Sequence, residues 1–294
     1  MRVIVLTLLA MIAFAGNSLL CRAALKQTTI DPATFTFVRI FSGAVALWII
    51  VTLRSLCSSP VTRHSSLSSG NWPSAIALFV YAAGFSFAYV DLSAGTGALL
   101  LFGAVQATMI LWGFHKGERL DAIQVIGIII AIAGLIVLVF PGISAPPLIA
   151  SILMIAAGIA WGAYSLRGKV RAGLAFDAIT PTSGNFVRAV PFAAALSVAM
   201  LASIHFDRLG FFYAILSGAI TSGLGYVIWY AALPGLKAAS AATVQLSVPV
   251  LAATGGILLL GEAITLRYVI ASIGVLGGIF LVVIEKTSRS KDEQ

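Results

Sequence analysis

Charged side chains are scarce in this chain, and that scarcity decides its solvent. Asp, Glu, Lys and Arg make up 10% of the 294 residues, against 60% apolar. A soluble domain carries about 25% charged residues, so water cannot surround most of this surface. Cysteine is nearly absent, with Cys21 at the end of one apolar stretch and Cys57 just past the next. In antiparallel neighbours those positions lie on opposite membrane faces, about 30 Å apart, beyond disulfide reach. His64, His115 and His205 fall in loops without ligand spacing, which argues against a metal centre. Asp31, Asp91, Glu118, Asp121, Asp177, Asp207, Glu262 and Glu285 lie at stretch ends or in loops. A buried carboxylate relay of the kind proton-driven pumps use is therefore missing, which favours facilitated movement down a gradient.

Long apolar stretches are what the chain has. Ten run over about 3–21, 33–53, 72–90, 94–114, 122–140, 147–166, 183–203, 210–230, 238–260 and 266–284. Each approaches the roughly 20 residues that cross a bilayer as a helix. No segment between them is long enough for a separate soluble domain. Residues 2–15 resemble a signal peptide, with Arg2 before an apolar run and Ala13-Phe14-Ala15 as a small-x-small site. That run has a counterpart at 149–166, inside the chain, so it is expected to stay as span 1.

The net charge of +8 follows topology rather than a nucleic-acid surface. With the N-terminus inside, thirteen Lys and Arg residues fall on the cytoplasmic side and five on the other: Arg22, Lys26, Arg39, Arg208 and Arg267. This asymmetry places both termini in the cytoplasm.

The second half reads as a weak copy of the first. Ala94-Gly-Thr-Gly-Ala98 aligns with Ala238-Ala-Ser-Ala-Ala242. At the same offset Gly117-Glu118 meets Gly261-Glu262, Val125-Ile126 meets Val269-Ile270, and Gly134 meets Gly278. Phe37-Val38-Arg39 meets Phe186-Val187-Arg188 at a nearby offset. A unit of five crossings is odd, so its copy must sit upside down in the membrane. The expected fold is all-α and polytopic: ten transmembrane helices as two inverted repeats, residues 1–143 and 144–286, around a central cavity. A polar cytoplasmic tail follows at 287–294. Three residues after each Gly-Glu stands a capping residue, Asp121 or Thr265, so each motif reads as a tight, capped helical hairpin.

These motifs, with Phe14-Ala-Gly-Asn-Ser18 in span 1 and Ala160-Trp-Gly-Ala-Tyr-Ser165 in span 6, resemble the drug/metabolite transporter superfamily of the EamA type. Within it the chain looks most like the aromatic amino-acid exporters of the YddG type. Asp121 departs from that family's usual Ser or Thr, and its capping function survives the change. The resemblance implies export of aromatic amino acids across a bacterial inner membrane.

Polar side chains within hydrocarbon tend to face a bundle interior or a wet cavity. On that ground the candidate cavity residues are Asn17, Tyr81, Gln106, Trp161, Tyr164, Ser165, Tyr226, Gln245 and Ser247. Tyr89 and Tyr230 suit either a cavity or the interfacial belt, to which Trp72, Trp112 and Tyr268 are assigned. Asn17 and Gln245 suit interhelical hydrogen bonding equally well. Arg39 and Arg188 are the charges noticeably inside spans. They read either as snorkelling cations or as gates that close opposite ends in turn. Pro191 and Pro249 interrupt spans 7 and 9, while Gly274 and Gly278 form a small-xxx-small face for close helix contact.

A carrier for small amphipathic metabolites follows, with aromatic rings to stack on and amides to meet polar groups. Other amino acids and lipophilic drugs remain alternatives, as does a channel-like facilitator. A membrane enzyme would need a nucleophile, paired acids or ligands at one depth, and none is visible. Cofactors and nucleic acid have no residue signature, and the expected unit is a monomer in the lipid bilayer with a small-molecule substrate.

Overall fold

The computed structural model describes residues 2–56, 70–115, 117, 122–140, 145–172, 179–233, 236 and 244–292. Cys57, His64, Glu118, Asp121 and Asp177 lie outside them, and with them the first Gly-Glu hairpin. The described chain is helical: α1 Arg2–Gln27, α2 Pro32–Leu56, α3 Trp72–Tyr89, α4 Ala94–His115, α5 Ala122–Val139, α6 Leu148–Ala172 and α7 Ile179–Ala199 come first. A short 3-10 turn, Leu201–Ser203, precedes α8 at Arg208–Ala232, followed by α9 at Ser247–Leu260 and α10 at Leu266–Asp292.

Seven of these are long and apolar enough to cross a membrane: α1 to α5, α6 over Leu148–Gly168, and α8. The expected spans 7, 9 and 10 fall short of that measure for separate reasons. α7 carries Thr180, Thr182, Ser183, Asn185 and Arg188 in its first half. α9 has 14 residues, beginning after a turn at Leu246, and residues 237–243 before it lie outside the described set. The apolar part of α10 is Leu266–Leu281.

Polar residues sit where the helices start. Asp31 accepts from the backbone N–H groups of Ala33 and Thr34, Asn71 from Ser74, Asp207 from Gly210, and Thr265 from Tyr268. Each supplies an acceptor to amides that have no partner in the first turn. Thr265 thus caps α10 as its position after Gly-Glu implies. Gly117 and Gly261, the glycines of the two Gly-Glu pairs, both have left-handed backbone, at φ +89° and +64°. Pro191 lies inside α7. Pro249 sits in the first turn of α9, where a missing N–H costs little, so it does not interrupt that helix.

Most close pairings join a helix of the first half to one of the second: α1 on α8 and α9, α2 on α7 and α8, α3 on α6, α4 on α6 and α9, and α5 on α10. Small residues make these approaches. A methyl built on Gly274 would lie 3.1 Å from the Cα of Gly134, and one on Gly278 would overlap the Gly127 carbonyl. The face formed by Gly274 and Gly278 is thus the seam of α5 and α10. On the outside, large side chains such as Leu111, Ile129, Ile149, Ile273 and Leu258 stand exposed. Water would penalise such a continuous apolar coat, whereas lipid accommodates it. Trp72 and Trp112 belong to that outer face, while Tyr268 is half-buried.

Candidate functional site

The interior of the bundle holds a mixed aromatic and polar cluster from six helices. α1 brings Phe14 and Asn17, three residues apart on one face. Asn17 is the polar hub. Its Oδ1 accepts from Ser217 Oγ at 2.7 Å and Thr221 Oγ1 at 3.2 Å, and its Nδ2 donates to the Tyr81 hydroxyl at 3.2 Å. Tyr81 comes from α3 and also accepts from Arg39 Nη2 at 3.0 Å. Arg39 Nε donates to Ser222 Oγ at 3.2 Å. Its guanidinium carbon lies 5.1 Å from the Tyr81 ring centre and 4.8 Å from that of Phe85, within the range of cation–π attraction.

Trp161 of α6 joins this network to the aromatic part. Its ring centre is 4.9 Å from Tyr81, 4.8 Å from Tyr226, 5.6 Å from Tyr164 and 6.2 Å from Phe14. Phe14 also meets Tyr226 and Trp229, while Phe186 of α7 meets Tyr226. Such pairs contribute about 0.5–1.5 kcal/mol each beyond area burial. The cluster is packed shut: Arg39 and Tyr226 are 2% exposed, Tyr81 5% and Trp161 6%.

The local shape of α8 makes the polar side possible. Its middle, Leu216–Leu224, is π-helical, and Ser217, Thr221 and Ser222 all come from that stretch. A π-bulge rotates the following residues relative to a continuous α-helix. At the same place α2 and α8 touch backbone to backbone, because a methyl on Gly218 would overlap the Arg39 carbonyl and Ser42 Oγ.

The structure therefore brings Asn17, Tyr81, Trp161, Tyr164 and Tyr226 into one cluster. Gln106 of α4 and Gln245, just before α9, are buried. Ser165 is half-buried, and Ser247 donates to the Val244 carbonyl at 2.7 Å. Arg39 does not snorkel: its charge points into the bundle interior. Its repeat counterpart Arg188 is half-buried and donates to the Gly184 carbonyl at 3.0 Å, so the two arginines have different surroundings. Tyr89 is fully buried and donates to the Ala94 carbonyl, which removes it from an interfacial belt. Tyr230 is half-buried against Gly168. Sequence reasoning missed Phe14, Phe186, Ser217, Thr221 and Trp229 as members.

Polar ties join helices at both ends of the bundle. Where α1 finishes and α4 begins, Arg22 Nε pairs with Glu262 Oε1 at 2.9 Å. Arg22 Nη1 also donates to the Tyr89 and Val90 carbonyls, and Glu262 Oε2 accepts from Ala94 N–H at 2.8 Å. One ion pair thus ties α1 and the α3–α4 corner to the α9–α10 loop. Glu262 adds this tie to the hairpin role expected for its motif. At the opposite end, Arg167 donates to Ser74 Oγ and Asn71 Oδ1, while Asn185 Oδ1 accepts from Asn71 N–H. Asn185 also donates to the Tyr164 hydroxyl at 3.5 Å, linking that end to the cluster.

The model of the EamA-like transporter family matches twice, over residues 1–140 and 148–284. An uncharacterised protein of Pseudomonas aeruginosa is 51% identical over 99% of this chain and 98% of its own length. A Salmonella typhimurium protein named as a probable amino-acid metabolite efflux pump is 25% identical over 65% of this chain and 67% of its own. One solved crystal structure shares the fold, with a TM-score of 0.63 over 96% of this chain and 97% of that one at 17% identity.

Proposed function

Because the chain belongs to the EamA-like transporter family, we propose that it is an alternating-access exporter of aromatic amino acids in a bacterial inner membrane. Ten crossings in two inverted five-helix repeats, with both termini cytoplasmic, complete the reading. The observation that carries it is Trp161, set between Tyr81, Tyr164 and Tyr226 within 5.6 Å. Those rings meet each other in the shut cluster, and a substrate ring replaces one of these contacts when the bundle opens. The amide of Asn17 and the hydroxyls around it supply polar contacts beside the rings. The Salmonella relative's name supports an amino-acid class of solute.

Two features favour a carrier over an open channel. The cluster blocks the middle of the bundle, and separate polar ties hold each end. A carrier must release one tie at a time to expose the cluster to one side. No carboxylate of the described residues lies in the cluster, which favours movement down the solute's own gradient.

The test uses purified protein in liposomes loaded with labelled phenylalanine, tyrosine and tryptophan beside leucine, serine and a lipophilic cation. Saturable flux with counter-flow of the aromatic solutes is expected, unchanged by a pH gradient. Preference for the cation or for serine would reject the substrate reading. Non-saturating flux would reject the carrier, and accumulation driven by a pH gradient would reject facilitated movement.

A further inference from the structure

The packed cluster contains a full positive charge with no negative partner. Arg39 is 2% exposed and forms no ion pair among the described residues. Its ionisable neighbours are Tyr81, Tyr226 and Cys21, none of them a carboxylate. Hydroxyls and two ring faces soften the burial of this charge without neutralising it. A buried cation left in that state is costly unless something pairs with it.

The hydrogen-bond directions sharpen the point. Asn17 Oδ1 accepts from Ser217 Oγ at 2.7 Å, which fixes its amide so that Nδ2 faces Tyr81, while Thr221 shares its one proton between that oxygen and the Ser217 carbonyl. The Tyr81 oxygen already accepts from Asn17 and from Arg39, so its own proton is left to donate. Among the described residues Arg39 Nη1 is buried without a hydrogen-bond partner, and the Tyr226 hydroxyl is buried beside that of Tyr81 without closing a full hydrogen bond. The cluster is therefore rich in unused donors and carries a net positive charge. A planar anion with two acceptor oxygens matches a guanidinium edge with hydroxyls beside it.

We infer that Arg39, with the hydroxyls of Tyr81 and Tyr226, forms a carboxylate-binding subsite that takes the acid group of the transported solute. This rests on the carrier reading above and extends it from ring stacking to charge. Tyr81 touches both parts, with its hydroxyl on Arg39 and its ring on Trp161. A solute whose carboxylate sits on Arg39 thus projects its side chain toward the aromatic group. The same charge repels solutes that carry only a positive group, so decarboxylated amines and lipophilic cations are poor ligands.

The test is calorimetric binding to the purified full chain, using ligand pairs that differ by the carboxylate: phenylalanine against phenethylamine, and leucine against isoamylamine. The wild type is expected to bind the carboxylate member about tenfold or more tightly, the scale of a charge-assisted pair. Arg39→Gln should cut that preference to about twofold or less, and Arg39→Lys should keep part of it, since the charge remains without the fork. Tyr226→Phe removes a hydroxyl that lies beside that of Tyr81 and closes no full hydrogen bond among the described residues, so it should fold normally while losing a severalfold share of the preference. The inference fails if the wild type binds no carboxylate, or if it binds the amines equally well. It also fails if folded Arg39→Gln keeps the preference, or if Arg39→Gln does not fold while Arg39→Lys and Tyr226→Phe both leave the preference intact. A carboxylate preference seen in the leucine pair without binding of phenylalanine would reject the aromatic substrate and leave the subsite standing.

Discussion

Asn17 shows how much can hang on one side chain. Its oxygen accepts from Ser217 and lies within reach of Thr221, which also donates to the Ser217 carbonyl, and its nitrogen orients Tyr81. Leucine in its place keeps the volume and removes all three bonds. Buried groups left unpaired cost about 1–3 kcal/mol each. Asn17→Leu is therefore expected to lower the melting temperature of the purified protein by several degrees and to weaken transport. Ser217→Ala, which removes one donor and leaves the amide otherwise bonded, should cost much less. An equal effect of the two substitutions would show that Asn17 does not organise the cluster. Asn17, Tyr81, Trp161 and Tyr226 were legible in the sequence because polar and aromatic groups stand out within apolar spans. For Arg39 the sequence left snorkelling and gating open, and only snorkelling falls away, because depth along one helix says nothing about Tyr81 and Ser222 on two others.

At the scale of the element, α8 is least like what its sequence suggests. An apolar span with glycines reads as one continuous helix, yet Leu216–Leu224 widens into a π-helix. Ser217 and Thr221, four residues apart, share one face of this stretch, and the sequence of one helix does not say that the face meets Asn17 of α1. Gly218 marks the cost of altering this element. A valine there would overlap the Arg39 carbonyl and Ser42 Oγ, so Gly218→Val should part α2 from α8 and abolish transport or folding. Gly117→Ala makes a useful contrast. No described residue lies within 4 Å of its added methyl, so the left-handed backbone is what resists, at about 1 kcal/mol. Melting curves of both variants in detergent separate the two costs, and a mild effect of Gly218→Val would contradict the close approach. The seam of α5 and α10 was more readable, since a four-residue spacing of glycines is visible in one dimension.

Across the whole molecule, most helix pairings join the two halves, so on the carrier reading opening is mainly a relative movement of those halves. The tie of Arg22 to Glu262 spans that division. In a chain whose native cysteines are replaced by serine, an Arg22→Cys and Glu262→Cys pair is expected to be joined by a bifunctional, reducible thiol cross-linker that spans the gap left by the two side chains. The cross-link should stop transport, and reductant should restore it. Continued flux through fully cross-linked protein would mean that this end does not open. Glu262 was legible as part of a repeated motif, and Thr265 as a cap. Its pairing with a residue 240 positions away was not, because sparse charges give no clue to which helix ends meet.

The shut cluster has one further consequence. If the cluster takes the solute as proposed, its own rings occupy the place that solute needs, and an empty chain is plugged by itself. Apparent affinity falls in proportion to the fraction of molecules that are open. On that reading the protein idles at low solute levels and runs when they rise, as an overflow valve does, and substitutions that loosen the rings should lower the solute level at which flux begins.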